Sequence, residues 1–226
     1  MNLTLTLATL LACLFFTWKR RQDRRPFLNL LVMGFGFLSL CSAYYGSAKP
    51  ETELAQLGAL RQAVAIHCGE TLKPKGPILF FIPPQAAPEI RQSYDDAIRL
   101  LTECSGSKFS PAVIEVNSLS EGRGFSLESL QAGLKQHPEC RLIVSYAGLP
   151  GDLSLENCRE WLPDGSLALI EGNPETALDL QREGAPIDLI IRPRADQDLP
   201  PPGTLVEGSP EEVFKRYFTP STPTKN

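Results

Sequence analysis

The chain has 226 residues, of which 42% are hydrophobic, and its formal net charge is −4. The charge is unevenly divided, because residues 1–48 carry five cations and one acid (net +4) and residues 49–226 carry 17 cations and 25 acids (net −8). An acidic C-terminal part argues against binding to nucleic acid or to anionic lipid. The length suffices for one ordinary domain with additional segments.

Two segments near the N-terminus carry no charged side chain: residues 1–18 and residues 26–48. About 20 apolar residues in a helix span the hydrocarbon core of a membrane. The second segment reaches that length, and the first is about two residues short of it. We therefore predict two transmembrane helices within residues 1–48, joined by the basic loop 19–25.

The orientation of the two predicted spans follows from the cations between them. These are Lys19, Arg20, Arg21, Arg24 and Arg25. Lys and Arg in short loops stay on the cytoplasmic side. We expect loop 19–25 in the cytoplasm and the rest of the chain outside an inner (plasma) membrane. A cleaved signal peptide is the alternative for residues 1–18, but they lack a basic start and are not followed by a small-residue cleavage site.

A helix is predicted over residues 49–70, because Leu54, Leu57, Leu60 and Val64 recur at helical spacing. It would link the membrane hairpin to an extracytoplasmic domain over residues 71–218. In that domain short apolar runs, read as strands, alternate with helices. The predicted strands are 77–83, 112–116, 140–147, 166–172, 187–193 and 203–208. The predicted helices are 87–106, 126–137, 154–162, 173–184 and 209–218. Residues 219–226 are expected to form a disordered tail.

This alternation indicates an α/β fold with a doubly wound, mostly parallel sheet of five or six strands, in flavodoxin-like order. The run "ILFFI" within residues 77–83 contains no polar residue. Strands that are buried on both faces have this composition. We therefore expect residues 77–83 in the interior of the sheet.

Residues 164–195, "DGSLALIEGNPETALDLQREGAPIDLIIRPRA", resemble the C-terminal lobe of type 1 periplasmic sugar-binding proteins. The positions that match the turn and helix signals of that family are Gly172, Pro174, Glu175 and Gly184. The resemblance implies that Glu171 stands where the family has a ligand-binding Asp. It also places Tyr146 and Ala147 where polar Asn-Asp contacts are usual. The family has two lobes, and residues 71–218 are enough for one.

In open parallel sheets, ligands bind beyond the carboxyl ends of the strands. The predicted loops at that edge contain five candidate ligand-binding residues: Gln85, Asn117, Tyr146, Glu171 and Arg192. The alternative is that these five are ordinary loop residues.

Signatures of catalysis or cofactor binding are missing from the sequence. It contains no GxGxxG, GxxxxGK[ST] or GxSxG motif. Its two histidines, His67 and His137, and its cysteines have no zinc-like spacing. We predict no catalytic residue, no metal site and no cofactor, and therefore a protein that is not an enzyme.

The predicted domain and its linker helix contain four cysteines, Cys68, Cys104, Cys140 and Cys158. They are either free thiols or form one or two disulfides, which an oxidising compartment would allow. The pair that we favour is Cys104–Cys140, since both would lie at the amino edge of the sheet. The competing pair is Cys68–Cys104.

Two function classes agree with these expectations. The first is a non-catalytic extracytoplasmic module that binds a partner protein, as an accessory subunit of an envelope complex. The second is a small-molecule sensing or binding domain derived from a periplasmic-binding lobe.

Overall fold

The computed structural model describes residues 50–84, 87–117, 124–162 and 165–223. The described residues from Leu54 onward belong to one compact unit. The two predicted transmembrane helices lie outside the described residues. Within the described ranges, no helix is both long enough and apolar enough to cross a membrane.

Six helices and six strands alternate along most of the described chain. The helices are α1 (Pro50–Thr71), α2 (Pro88–Cys104), α3 (Leu127–Gln136), α4 (Leu155–Trp161), α5 (Pro174–Arg182) and α6 (Pro210–Tyr217). The strands are β1 (Ile78–Ile82), β2 (Ala112–Glu115), β3 (Leu142–Ser145), β4 (Ser166–Leu169), β5 (Ile187–Pro193) and β6 (Phe218–Ser221). Several helices begin at an N-cap side chain that accepts a backbone N–H bond, namely Ser126, Ser154, Asn173 and Ser209.

The strands form one sheet in the order β2-β1-β3-β4-β5-β6. The first five are parallel to one another, and β6 pairs antiparallel with β5. The prediction of an α/β, mostly parallel sheet is confirmed. Strand β1 has a hydrogen-bonded neighbour on each side, and all five of its residues are buried because helices cover both faces of the sheet.

The core has two layers, one on each face of the sheet. On one face Ile78, Phe80 and Ile82 of β1 pack with residues of α1, α2 and α6. On the other face Leu79 and Phe81 pack with residues of α3, α4 and α5. Alternate side chains of a strand point to opposite faces, so this one apolar run supplies both layers.

Helix α1 packs on the domain, which agrees with the helix predicted over residues 49–70. Ala63, Val64 and Cys68 lie in the first core layer. Leu57, in contrast, is 42% exposed. The helix runs against the direction of the strands, since it begins near their carboxyl ends and its end leads into β1 at their amino ends.

Two predictions near the C-terminus are wrong. Residues 203–208 are not a strand, because Gly203 and Gly208 have φ angles of +80° and +119° that interrupt an extended backbone. Residues 219–221, expected in a disordered tail, belong to β6. Phe218 packs against the core and holds this strand beside β5. Pro220 is tolerated because β6 is an edge strand.

Candidate functional site at the carboxyl edge

An ion pair between α1 and the loop after β4 lies at the carboxyl edge of the sheet. Arg61 Nε donates to Glu171 Oε1 at 2.8 Å, and Nη2 lies 3.4 Å from Oε2. The side chain of Arg61 is only 11% exposed, whereas that of Glu171 is 35% exposed. The carboxylate of Glu171 is therefore occupied by a cation from the chain itself.

Helix α2 completes this cluster with two hydroxyl groups. Tyr94 Oη accepts from Arg61 Nη2 at 2.6 Å and donates to Glu171 Oε2 at 3.2 Å. Ser93 Oγ accepts from Arg61 Nη1 at 2.6 Å. The guanidinium carbon also lies 3.7 Å from the centroid of the Tyr94 ring. We call Arg61, Ser93, Tyr94 and Glu171 the carboxyl-edge cluster.

The electrostatics of the cluster keep Arg61 charged and Tyr94 neutral. Burial by itself lowers the pKa of Arg61, but the hydrogen bond and negative charge of Glu171 outweigh it and the pKa is raised. Burial, followed by the charge of Glu171, raises the pKa of Tyr94. Neither Arg61 nor Tyr94 is thereby prepared to give or take a proton near neutral pH.

Tyr146 lies beneath this cluster and is only 2% exposed. Its ring packs edge-on against Tyr94, with centroids 5.6 Å apart. Its hydroxyl has no hydrogen-bond partner among the described residues. Burial, and then the nearby Cys68 and Glu171, raises the pKa of this hydroxyl. Tyr146 is thus a core residue with an unpaired polar atom.

Glycines close the crevice between the loops that follow β3 and β4. Gly148 and Gly172 have φ angles of +82° and +113°. A Cβ on Gly172 would lie 2.4 Å from the Cα of Gly148, so these loops touch through their backbones. Gly148 N donates to the carbonyl of Glu171 at 3.1 Å. Residues 147–150 are all buried, and protein therefore fills the space between these two loops.

An apolar pocket of about 250 Å³ lies beside the cluster, between α1 and the ends of β4 and β5. We call it the carboxyl-edge pocket. Arg61, Glu171 and Gly172 form its polar side. Its apolar lining includes Leu57, Leu60, Val64, Ile170, Leu199 and Phe218. Leu57 and Leu199 are 42% and 45% exposed, so the pocket opens at an apolar rim.

Of the four predicted ligand-binding residues that the structure describes, it brings together two, Tyr146 and Glu171. Asn117 follows β2, and Arg192 lies near the end of β5; both are exposed and neither belongs to the cluster. Gln85 lies outside the described residues. The role of these residues in ligand binding stays a prediction.

Sequence reasoning missed Arg61, Ser93 and Tyr94. Arg61 follows Leu57 by four residues and precedes Val64 by three, so it lies on the face of the helix that was expected to be apolar. A cation on such a face indicates a buried partner, and this signal was available in the sequence.

The described cysteines are all free, and the predicted Cys104–Cys140 disulfide is not formed. Cys104 packs against α1, where a Cβ on Gly69 would lie 2.6 Å from its own Cβ. Cys140 packs in the core layer on the other face of the sheet. The prediction placed both residues at one edge and neglected the thickness of the sheet between their layers. Among the described residues, no group of His, Cys, Asp and Glu could hold a metal ion.

No protein-family model matches the chain, and no curated protein matches it. A solved structure that is similar is a periplasmic ribose ABC transporter from Conexibacter woesei, with 17% identity and a TM-score of 0.40. The match covers 61% of this chain and 44% of that one, so this chain spans less than half of that protein's length. Nothing about the family, the ligand or the activity of this chain follows from a similarity at this level.

Proposed function

We propose that the chain is a non-catalytic binding module of an inner membrane. Two spans within residues 1–48 anchor it, and the α/β domain on the extracytoplasmic side binds a partner protein as an accessory subunit of an envelope complex. One observation carries the choice of partner: the carboxyl edge offers an apolar pocket with exposed leucines at its rim, while the charged groups beside it are already paired.

The pairing of Glu171 argues against a polar ligand at this edge. A ligand that took this carboxylate would have to displace Arg61, which is 11% exposed. Leaving a largely buried charge without its partner costs several kcal/mol, of order 3 in typical proteins. The touching loops at Gly148 and Gly172 support the same conclusion, because they fill a crevice that a ligand of this fold class would enter.

The size of the carboxyl-edge pocket favours a protein side chain as its occupant. Its volume of about 250 Å³ lies below the roughly 300–1,000 Å³ of ordinary small-molecule sites. Leu57 and Leu199 at its rim would be covered by the surface around an inserted Leu or Phe. An apolar anchor of this kind, placed in a pocket, is the usual centre of a protein interface.

Small-molecule sensing is the second candidate, and the same pocket is the observation that favours it. A compact apolar ligand would fit between Leu60, Val64 and Ile170 without disturbing the ion pair. Native mass spectrometry of the detergent-purified protein separates the candidates. A bound small mass that is lost in a Leu60→Glu variant would favour the sensor over the protein-binding module.

Photo-crosslinking in cells tests the protein-binding proposal. A photoreactive residue at position 199 should give one discrete protein adduct, and Leu57→Glu should abolish that adduct. Phe109 is the matched control, because it is 53% exposed and does not line the pocket. The proposal fails if position 109 gives the same adduct, or if the adduct at position 199 survives Leu57→Glu.

Reporter fusions test the anchoring and the orientation separately. Alkaline phosphatase, which folds only outside the cytoplasm, should be active when fused after residue 223 and inactive when fused within residues 19–25. The reverse pattern would contradict the proposed orientation without bearing on the pocket.

A further inference from the structure

A second pocket, on the opposite edge of the sheet, differs in chemistry from the carboxyl-edge pocket. It has a volume of about 270 Å³ and lies where β1, β3, β4 and β5 begin. We call it the amino-edge pocket. Its charged and hydroxyl lining residues are Lys73, Lys75, Arg141, Ser166 and Asp188.

The three cations of this pocket form no ion pair with any described carboxylate. Many other cations of the domain do, since Arg91, Arg99, Arg182 and Arg194 are each paired with an acid. Exposed cations elsewhere, such as Lys108, Lys135 and Arg159, also form no ion pair with a described carboxylate, but they do not line this concavity together. Three unpaired cations around one concavity repel one another and do not stabilise the fold.

The backbone fixes the positions from which these cations project. Arg141 immediately precedes β3, and its carbonyl accepts from Ser166 N at 2.8 Å. A Cβ on Gly165 would lie 3.1 Å from that carbonyl, so the loop before β4 passes close to Arg141. Lys73 and Lys75 flank Pro74, whose fixed φ angle limits the freedom of their loop. The cations are therefore held together by the folded loops before three strands.

We propose that the amino-edge pocket binds a phosphoryl group. Three cations less the one acid, Asp188, leave a local net charge of +2. A phosphate monoester carries a charge of about −1.5 to −2 at neutral pH and offers three strong acceptor oxygens. The guanidinium of Arg141 suits a two-point contact with such a group, and the two lysines act as point charges. The Ser166 hydroxyl provides a neutral donor.

The net charge of the amino-edge pocket favours a phosphoryl group over a carboxylate. A monoanion would leave one positive charge of the pocket uncompensated, whereas a phosphate dianion neutralises it. The pocket is also too small for a nucleic acid, and the acidic domain around it would repel a polyanion. The phosphoryl group comes either from a soluble metabolite or from the headgroup of a lipid. The two sources share this chemistry, and the experiment must separate them.

The test is calorimetric titration of the full chain in non-ionic detergent with glycerol 3-phosphate, with glycerol as the ligand that lacks the phosphoryl group. We expect saturable binding of glycerol 3-phosphate only. Arg141→Ala should weaken it about tenfold, because a charge-assisted contact is lost. Lys75→Ala, at an exposed loop position, should weaken it about threefold and keeps the test valid if Arg141→Ala fails to fold.

Three further variants test whether binding takes place in this pocket. Asp188→Asn should tighten binding about threefold, because it removes the only negative charge of the lining. Arg159→Ala and Lys108→Ala, which remove exposed cations elsewhere, should leave binding unchanged. Binding that is equal for glycerol and glycerol 3-phosphate, or that falls as much in Arg159→Ala as in Arg141→Ala, would overturn the proposal. Weaker binding in Asp188→Asn would overturn it too.

A short-chain phosphatidic acid, titrated in the same way, identifies the source. It carries the same phosphoryl group with two acyl chains, so tighter binding than that of glycerol 3-phosphate indicates a lipid headgroup. Equal or weaker binding indicates a soluble phosphate ester. These outcomes are independent of the carboxyl-edge pocket, so this proposal and the protein-binding proposal fail separately.

Discussion

The two edges of the sheet differ in whether the charged side chains of their pockets are paired. At the carboxyl edge, Arg61 and Glu171 are paired and Tyr94 is bound to both. At the amino edge, Lys73, Lys75 and Arg141 are exposed and unpaired among the described residues. The cluster at the edge where this fold class usually binds ligands is thus internally paired, whereas three cations at the other edge form no ion pair with a described carboxylate. Topology places polar residues at an edge, but only their burial and pairing decide whether they remain available to a ligand.

The difference is caused largely by α1. This helix lies against the first core layer and reaches the carboxyl edge with Arg61, so the cation that pairs with Glu171 comes from the chain itself. At its other end it leads into the loop of Lys73 and Lys75, which provides cations without acids. Substitutions at the residues of these edges, with matched controls, would show whether the two edges differ in this way.

The largest effect is expected for Gly172→Ala, which should lower the free energy of unfolding by about 3 kcal/mol because a Cβ clashes with the Gly148 backbone at a positive φ. Gly184→Ala is the control, since Gly184 also has a positive φ but a Cβ there meets nothing within 4 Å. It should cost about 1 kcal/mol. Urea denaturation measures both. Equal losses would mean that the carboxyl-edge loops are not held by the close glycine contact.

Removing the carboxylate of the cluster should have the next largest effect. Glu171→Ala leaves Arg61 largely buried without its partner, and we expect a loss of about 2 kcal/mol after allowance for the partial exposure of Glu171. Glu103→Ala removes the exposed partner of Arg99 and should cost about 0.3 kcal/mol. Chemical denaturation of the two variants compares them directly. If they lose the same amount, the carboxyl-edge ion pair is no different from a surface pair.

The two tyrosines should respond differently to loss of their hydroxyl groups. Tyr94→Phe removes bonds to Arg61 and Glu171 and should cost about 1 kcal/mol. Tyr146→Phe removes a buried hydroxyl with no described partner and should be neutral or stabilise by up to about 1 kcal/mol. Thermal unfolding of the variants is sufficient to rank them. A destabilised Tyr146→Phe would show that this hydroxyl has a partner when the protein is in solution.

The smallest effect concerns His67, which lies on α1 between the two edges and stacks on Phe214 with centroids 3.8 Å apart. Burial lowers the pKa of His67, and Glu70 opposes this only in part. The neutral form is favoured in the folded state, so its contribution to stability is complete above pH of about 6.5 and is lost as the pH falls below that value.

The variant His67→Phe retains an aromatic ring that can stack on Phe214 but has no group that titrates in this pH range. Stability measured between pH 8 and pH 5, a range of about three units around the ordinary histidine pKa, should therefore fall less steeply in this variant than in the wild type. Identical slopes would exclude His67 as their cause.

Much of the sheet could be predicted from the sequence, because its signals are local. The run "ILFFI" predicts a strand that is buried on both faces. The alternation of short apolar runs with helices predicts a parallel sheet. The strand β6 could not be found in this way. Its sequence, "FTPS", has little strand character, and it exists because Phe218 packs against the core beside β5.

The candidate site was less predictable, since its contacts are distant in sequence. Glu171 was identified from the resemblance of its neighbourhood, but Arg61 lies 110 residues away from it. No local pattern connects the two. The predicted disulfide failed for a related reason: the order of elements along the chain gives the edge at which a cysteine lies, but not the layer in which its side chain packs.

The meeting of His67 with Phe214 also has a consequence for how the protein is made. Helix α1 packs against α6, and β6 follows both of them in the sequence. A nascent chain therefore cannot complete this sheet until residues 218–221 have left the ribosome, and until then the outer edge of β5 has no neighbour. Chains released early, before residue 218, would carry an open strand edge and become substrates for chaperones and proteases.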